Sequence, residues 1–154
     1  MPAVEFWVVI SALVSRELIV PVTVSLMIYF FYIKKKREAL LILFDWYGGI
    51  IINAILMTMF QLSRPEKPLI TIDGYAFPSG HALSAVIFYS LLIILFHKKI
   101  KNKSARILFI SVNIIVIILV GLSRIMLQVH YVRDVIGGYM IGLAWLFIVY
   151  RIIK

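Results

Sequence analysis

Cysteine is absent from the chain, and acidic residues are scarce, seven against sixteen Lys and Arg. The first absence excludes disulfide scaffolds, thiolate metal sites and a cysteine nucleophile, and leaves the compartment open. Charge of either sign is sparse too, at 15% of the residues, while 63% are hydrophobic. An average soluble domain is only about 45–50% apolar. Such a chain reads as an integral membrane protein, and its length leaves no room for a separate soluble catalytic module beside several spans. Any active site must then be built from helix ends and short loops. Internal repeats and low-complexity linkers are also missing.

What is present is a series of apolar stretches near the ~20 residues that a helix needs to cross a bilayer. They fall at about 18–33, 39–60, 79–97, 105–123 and 135–152. The expected fold class is all-α, a polytopic bundle of five spans forming one domain over 1–154, or six if the N-terminal segment counts. Residues 1–17 are too short an apolar run to span alone. Arg16 and Glu17 interrupt it, and Pro21 removes the hydrogen bond to the carbonyl of Glu17, which predicts a break or kink there. The segment is read as lying in the membrane interface, anchored by Trp7, against the alternative of one long tilted helix. With no basic stretch ahead of the apolar run and no small-residue cleavage site after it, it does not read as a cleavable signal peptide.

The net charge of +9 would suggest nucleic acid on a soluble protein. Here the basic residues gather at Lys34, Lys35, Lys36 and Arg37, at Lys98, Lys99, Lys101, Lys103 and Arg106, and at Arg151 and Lys154. By the positive-inside rule all three places are cytoplasmic, so 61–78 and 124–134 face the exterior or periplasm. Topology alone accounts for the basic runs, and nucleic acid is excluded as a partner. The bilayer and a lipid substrate are the expected partners, and nothing in the sequence sets an oligomeric state.

The outer face then carries Arg64, Lys67, His81, Arg124, His130, Arg133 and Asp134. Pro78, Ser79, Gly80 and His81 open the third span. Ser79 is a good N-cap, so the first-turn N–H groups point out of the membrane as an anion site within reach of an imidazole. The plainer alternative is a Pro-Ser-Gly loop that only punctuates the chain. His130 and Asp134 are four residues apart. If the stretch is helical they share a face, and the carboxylate orients one ring nitrogen while leaving the other free to attack; the plainer alternative is a surface ion pair. Arg64, next to Pro65, offers a planar fork suited to phosphate oxygens, with snorkelling as its default role. The conjunction points to phosphoryl chemistry.

These segments resemble the type 2 phosphatidic acid phosphatase superfamily, whose signatures are Lys-x6-Arg-Pro, Pro-Ser-Gly-His and Ser-Arg-x5-His-x3-Asp. The second and third are complete at 78–81 and 123–134, while the first is present only as Arg64 and Pro65. Its lysine would fall at position 57, about two turns before Arg64 on a helix that Pro65 is expected to end, and so on the same helix face; this chain has Met57 there. Lys67, or else Arg133, is the candidate substitute for that charge. The resemblance covers about residues 39–152, and the family's usual six spans make this chain look like a version with a shortened first helix. It implies that His130 attacks phosphorus to give a phosphohistidine, that Asp134 orients it, and that His81 acts as general acid and then base. Arg64, Arg124, Ser79 and Gly80 would bind the phosphate oxygens. No metal or other cofactor is implied, and the remaining outer acids, Glu66 and Asp73, form no evident Mg²⁺ cluster.

Three polar residues inside spans read as structural. Asp45 is expected to pair with a cytoplasmic Lys or Arg, and Asn53 and Asn113 to bond between helices. The functional expectation is hydrolysis of a lipid phosphomonoester or diphosphate at the outer face, with lipid A 1-phosphate as the leading substrate. Phosphatidylglycerophosphate, phosphatidate and undecaprenyl diphosphate are the alternatives. A lipid phosphotransferase and a non-catalytic lipid binder are the competing classes.

Overall fold

The computed structural model describes residues 2–153, so Lys154, assigned above to the basic end, lies outside the described residues. Seven α-helices follow one another: α1 (Pro2–Ala12), α2 (Arg16–Tyr32), α3 (Lys36–Ile42), α4 (Gly48–Phe60), α5 (Gly80–Phe96), α6 (Lys103–Met126) and α7 (Val132–Ile152). A π-helical turn, Leu43–Tyr47, joins α3 to α4, so the two cross as one unit. Five segments are long and apolar enough to span: Ala3–Tyr32, Lys36–Phe60, Gly80–Lys99, Lys103–Met126 and Val132–Ile152. The chain is an integral membrane protein. The last four spans expected from hydropathy lie within about three residues of these segments, whereas the first, expected at 18–33, begins fifteen residues earlier, at Ala3, because α1 is also apolar.

Helix α5 is the axis of the bundle, packed against α6 and α7 along its length. Its buried residues include Leu83, Ile87, Phe88, Leu91 and Leu95. Around it lie two apolar clusters, one containing Val14, Ile19, Trp46 and Val120, the other Phe30, Ile42 and Val149. The outward faces are equally apolar: on α6, Ile107, Leu108, Val112, Ile115 and Ile118 are exposed. Apolar residues inside and out are what a bilayer demands, where association rests on close packing rather than on burial from water. Small residues supply that packing. A Cβ built on Gly138 of α7 would stand 2.6 Å from the Ser79 carbonyl oxygen, so only glycine lets α7 lie so close to the start of α5.

The N-terminal expectation is corrected. The break falls at residues 13–15, and Pro21 is accommodated within α2, whose first turn is capped by Ser15 accepting from the Leu18 N–H at 3.3 Å. Helix α1 is not a segment apart but packs against α6, and the Tyr89 hydroxyl donates to the Leu13 carbonyl at 3.0 Å. At eleven residues it is only ~16 Å long. Asp45 is fully buried in the π turn with no ion pair; both carboxylate oxygens lack a partner among the described residues. The lysines therefore stay at the helix ends, where Lys99 lies over the rings of Phe30 and Phe96. Nor do the two asparagines bridge helices: Asn113 donates to the Phe109 carbonyl and Asn53 to the Met57 sulfur, each one turn along its own helix.

Candidate active site

The three motif segments converge at the end of the bundle opposite the lysine-rich loops, and backbone hydrogen bonds hold them in register. Helix α6 ends at Met126, and Gln128 takes a left-handed conformation at φ 56°. That turn brings the N–H groups of Val129 and His130 back to the Arg124 carbonyl, at 3.2 and 3.3 Å. The five residues between Arg124 and His130 are thus the length of one helix stop and return. The Ser79 N–H donates to the Asp134 carbonyl at 2.9 Å, locking the start of α5 to the start of α7.

His130 lies before α7 rather than on it, because Tyr131 is the N-cap. The helical premise for the pair therefore fails, yet the two side chains still meet. Asp134, in the first turn, accepts from the Tyr131 N–H at 2.9 Å, and its Oδ2 stands 3.8 Å from His130 Nδ1. Both residues are buried. On the other side of the ring, Arg64 Nη1 lies 3.2 Å from His130 Nε2. Nη1 also donates to the Val129 carbonyl, while Nε and Nη2 donate to the carbonyls of Gly74 and Asp73. The guanidinium is thus fixed by three backbone oxygens with its charge turned to Nε2. Burial first, and then the Arg64 and Arg124 charges, push the His130 pKa down from its usual range to about 3. At neutral pH the imidazole is unprotonated and keeps a lone pair. Burial likewise lowers the Arg64 pKa, against the opposing pull of the carboxylates Asp134 and Asp73.

Arg64 is not at a helix end, as expected from Pro65, but in the loop that follows. Helix α4 stops at Phe60, and Gln61 is left-handed at φ 48°. Position 57 therefore shares no helix face with Arg64, and Met57 instead receives the Asn53 amide at 3.2 Å. Arg124 is buried in the last turn of α6. Its Nη1 donates to the Ser11 hydroxyl of α1 at 2.7 Å, while Nε and Nη2 have no protein partner among the described residues. Ser79 occupies the N-cap position of α5 but does not cap with its side chain, and its buried hydroxyl is also unpartnered. Buried donors without acceptors are costly unless a ligand supplies them.

Two openings flank the histidines. His81 and Gly80 line a cavity of about 330 Å³ with Ser15, Arg16, Trp46 and Asn53. On the other side a more open cleft of about 500 Å³ is lined by His130, Tyr131, Gln128, Pro65, Glu66 and Lys67. Lys67 thus borders His130. Arg133 is turned outward, lying over the Tyr131 ring, with Nε 3.6 Å from Asp134 Oδ1. Asn53, expected from the sequence to bond between helices, instead lines the His81 cavity. It also lies against position 80, where a Cβ would meet the Asn53 amide nitrogen at 3.1 Å and press on that side chain. Its only sequence signal was a polar side chain deep in an apolar run. Among the described residues, no three His, Asp or Glu side chains group as metal ligands.

A buried imidazole between a carboxylate and a guanidinium, with a second imidazole and unpaired donors alongside at the end of a membrane bundle, defines a phosphoryl-transfer enzyme of the bilayer. The chain belongs to the PAP2 superfamily, whose family model matches residues 49–154. It is 30% identical over 143 residues to phosphatidylglycerophosphatase B of Bacillus subtilis, covering 91% of this chain and 70% of that protein. Among solved structures it resembles the transmembrane PAP2-type phosphatidylglycerolphosphate phosphatase of Bacillus subtilis, with a TM-score of 0.86 at 27% identity over 97% of this chain and 76% of that one. It also shares the fold of Aquifex aeolicus LpxE, with a TM-score of 0.75 at 21% identity over 97% of this chain and 86% of that one. The protein is a membrane lipid phosphatase.

Proposed function

We propose that this enzyme hydrolyses a lipid phosphomonoester through a phosphohistidine on His130, with phosphatidylglycerophosphate as substrate and the site facing the exterior or periplasm. The observation that carries this reading is the arrangement around one ring. Nδ1 stands 3.8 Å from Asp134 and Nε2 stands 3.2 Å from Arg64, so the nitrogen that attacks is the one beside the charge that holds the phosphate. His130 Nε2 attacks phosphorus as the bond to the lipid oxygen breaks, and His81, which takes up a proton when the bound phosphate's negative charge offsets the surrounding arginines, donates it to that oxygen. Water then attacks the phosphohistidine, giving its proton to His81, and the P–N bond breaks to release phosphate.

Arg64, the free Nε and Nη2 of Arg124, the Ser79 hydroxyl and the Gly80 amide bind the three equatorial oxygens. Such clamps contribute about 10³-fold or more in rate, because the loose transition state needs charge neutralisation above all. Lys67, bordering His130 from the open cleft, adds positive charge on that side in place of the family lysine. The relative named phosphatidylglycerophosphatase B supports this substrate, and the openness of the site does not discriminate among lipids. The leaning towards lipid A 1-phosphate is set aside, because the likeness to LpxE at 21% identity carries the fold alone. The outward orientation rests on the lysine-rich loops at the opposite end.

The test is phosphate release by purified protein from phosphatidylglycerophosphate, phosphatidate, a polyprenyl diphosphate and lipid A, with and without an added alcohol acceptor. The highest kcat/KM on the first supports the reading. A preference for another lipid overturns the substrate, and transfer to the acceptor in place of phosphate release overturns hydrolysis. Loss of all turnover in His130→Ala is expected; full activity there overturns the mechanism.

A further inference from the structure

The family motifs account for the histidines, the arginines and the start of α5, but not for the far wall of the cavity beside His81. That wall is made by the start of α2 and by α4: Val14, Ser15, Arg16 and Glu17 face Trp46, Ile50 and Asn53 across about 330 Å³. Arg16 forms no hydrogen bond or ion pair with another side chain among the described residues, and it lines the same cavity as His81. Glu17, the one carboxylate in the wall, is exposed in the first turn of α2 and forms no ion pair with Arg16 among the described residues. The Arg16 fork is therefore left for something that enters the cavity.

His81 fixes what enters. In an in-line displacement the leaving oxygen stands opposite the attacking nitrogen, on the side of the acid that protonates it. The cavity shared by His81 and Arg16 is then the berth of the leaving group, whereas the transferred phosphate sits between His130 and the guanidinium groups of Arg64 and Arg124.

Resting on the mechanism proposed above, we propose that Arg16 is a specificity residue that binds a second phosphate carried by the leaving group. The class of substrate is a lipid whose leaving product is still anionic: an alcohol that carries a phosphodiester when the substrate is phosphatidylglycerophosphate, a phosphomonoester when it is a lipid diphosphate. Phosphatidate, which leaves as a neutral diacylglycerol, gives Arg16 no partner. An arginine suits this role because its planar fork takes two phosphate oxygens at once.

The discriminating experiment compares Arg16→Gln and Arg16→Lys with the parent on phosphatidylglycerophosphate, a lipid diphosphate and phosphatidate. The ratio of kcat/KM for an anionic over the neutral leaving group should fall about tenfold to a hundredfold in Arg16→Gln, the range of a lost charge-assisted contact. Arg16→Lys should recover part of it. The lipid whose ratio falls identifies the source of the second phosphate. An unchanged ratio, whether both rates fall together or neither does, overturns the proposal. Binding is read independently of turnover in the His130→Ala background, from the intrinsic tryptophan fluorescence, to which Trp46 of the cavity wall contributes, during titration with phosphatidylglycerol vesicles against diacylglycerol in a neutral carrier. Arg16→Gln should weaken the response to phosphatidylglycerol alone, and equal responses in both proteins contradict the assignment. If the parent releases phosphate from none of the lipids, the proposed function fails, and the titration still decides the role of Arg16.

Discussion

The two histidines sit in unlike surroundings. His130 is buried, tied through its backbone to the Arg124 carbonyl, and faced by a carboxylate and a guanidinium that is itself held by three backbone oxygens. His81 is half-buried, has no hydrogen bond to another protein group among the described residues, and opens into a cavity walled by helices outside the family motifs. The difference teaches where constancy and variation belong in such an enzyme. A nucleophile must be held within a fraction of an ångström and kept unprotonated, whereas the leaving-group side must admit different alcohols and can be rebuilt without disturbing the chemistry.

The comparison breaks most completely at the nucleophile. His130→Ala should remove turnover, and Asp134→Asn should leave a folded enzyme slowed by about 10²-fold to 10⁴-fold through loss of ring orientation, both read as initial phosphate release. His81→Ala should be milder on lipids with good leaving groups, because a general acid matters least where the oxygen departs readily. Next in size is Gly138→Val. A Cβ there meets the Ser79 carbonyl at 2.6 Å, so this change should lower the thermal midpoint in detergent and cut activity together by parting α7 from α5.

Ser11→Ala is expected to cost about tenfold in kcat with folding preserved, because Arg124 loses the hydroxyl that fixes Nη1. Lys67→Ala should act more gently still, raising KM about threefold to tenfold and more so at low salt, since its charge is exposed and screened. Activity identical to the parent across salt would assign the charge compensation elsewhere.

The buried His130 also makes a pH prediction. Its folded pKa of about 3 lies below the ordinary value of ~6.5, so the unfolded chain binds the extra proton between the two. The stability it contributes is complete above about pH 6.5 and is lost as pH falls towards 3. Thermal midpoints of the parent should decline across that window, and those of His130→Asn should decline less.

Much of this was legible before any coordinates. Hydropathy located the spans because a bilayer imposes length and apolarity directly, and the spacing from Ser123 to Asp134 brought Arg124, His130 and Asp134 together because one helix stop needs that many residues to turn back. Helix periodicity misled where the chain is not helical. His130 precedes its helix and Arg64 follows its own, so the arguments from shared faces at Asp134 and Met57 failed, although the side chains at the first pair still meet. The Asp45 ion pair failed for another reason: the π turn directs the carboxylate into the bundle, away from the lysines. Asn53, Ser11 and Arg16 were not legible as site residues, because they come from segments distant in sequence that meet the motifs only through packing of α1, α2 and α4.

The central claim is that phosphorus passes through His130 on its way to water. It is tested most directly by the stereochemical course of hydrolysis of a lipid phosphorothioate made chiral at phosphorus with oxygen isotopes. Two successive in-line displacements, onto His130 and then onto water, predict retention of configuration. Inversion would mean that water attacks the lipid phosphate directly, and would contradict the account.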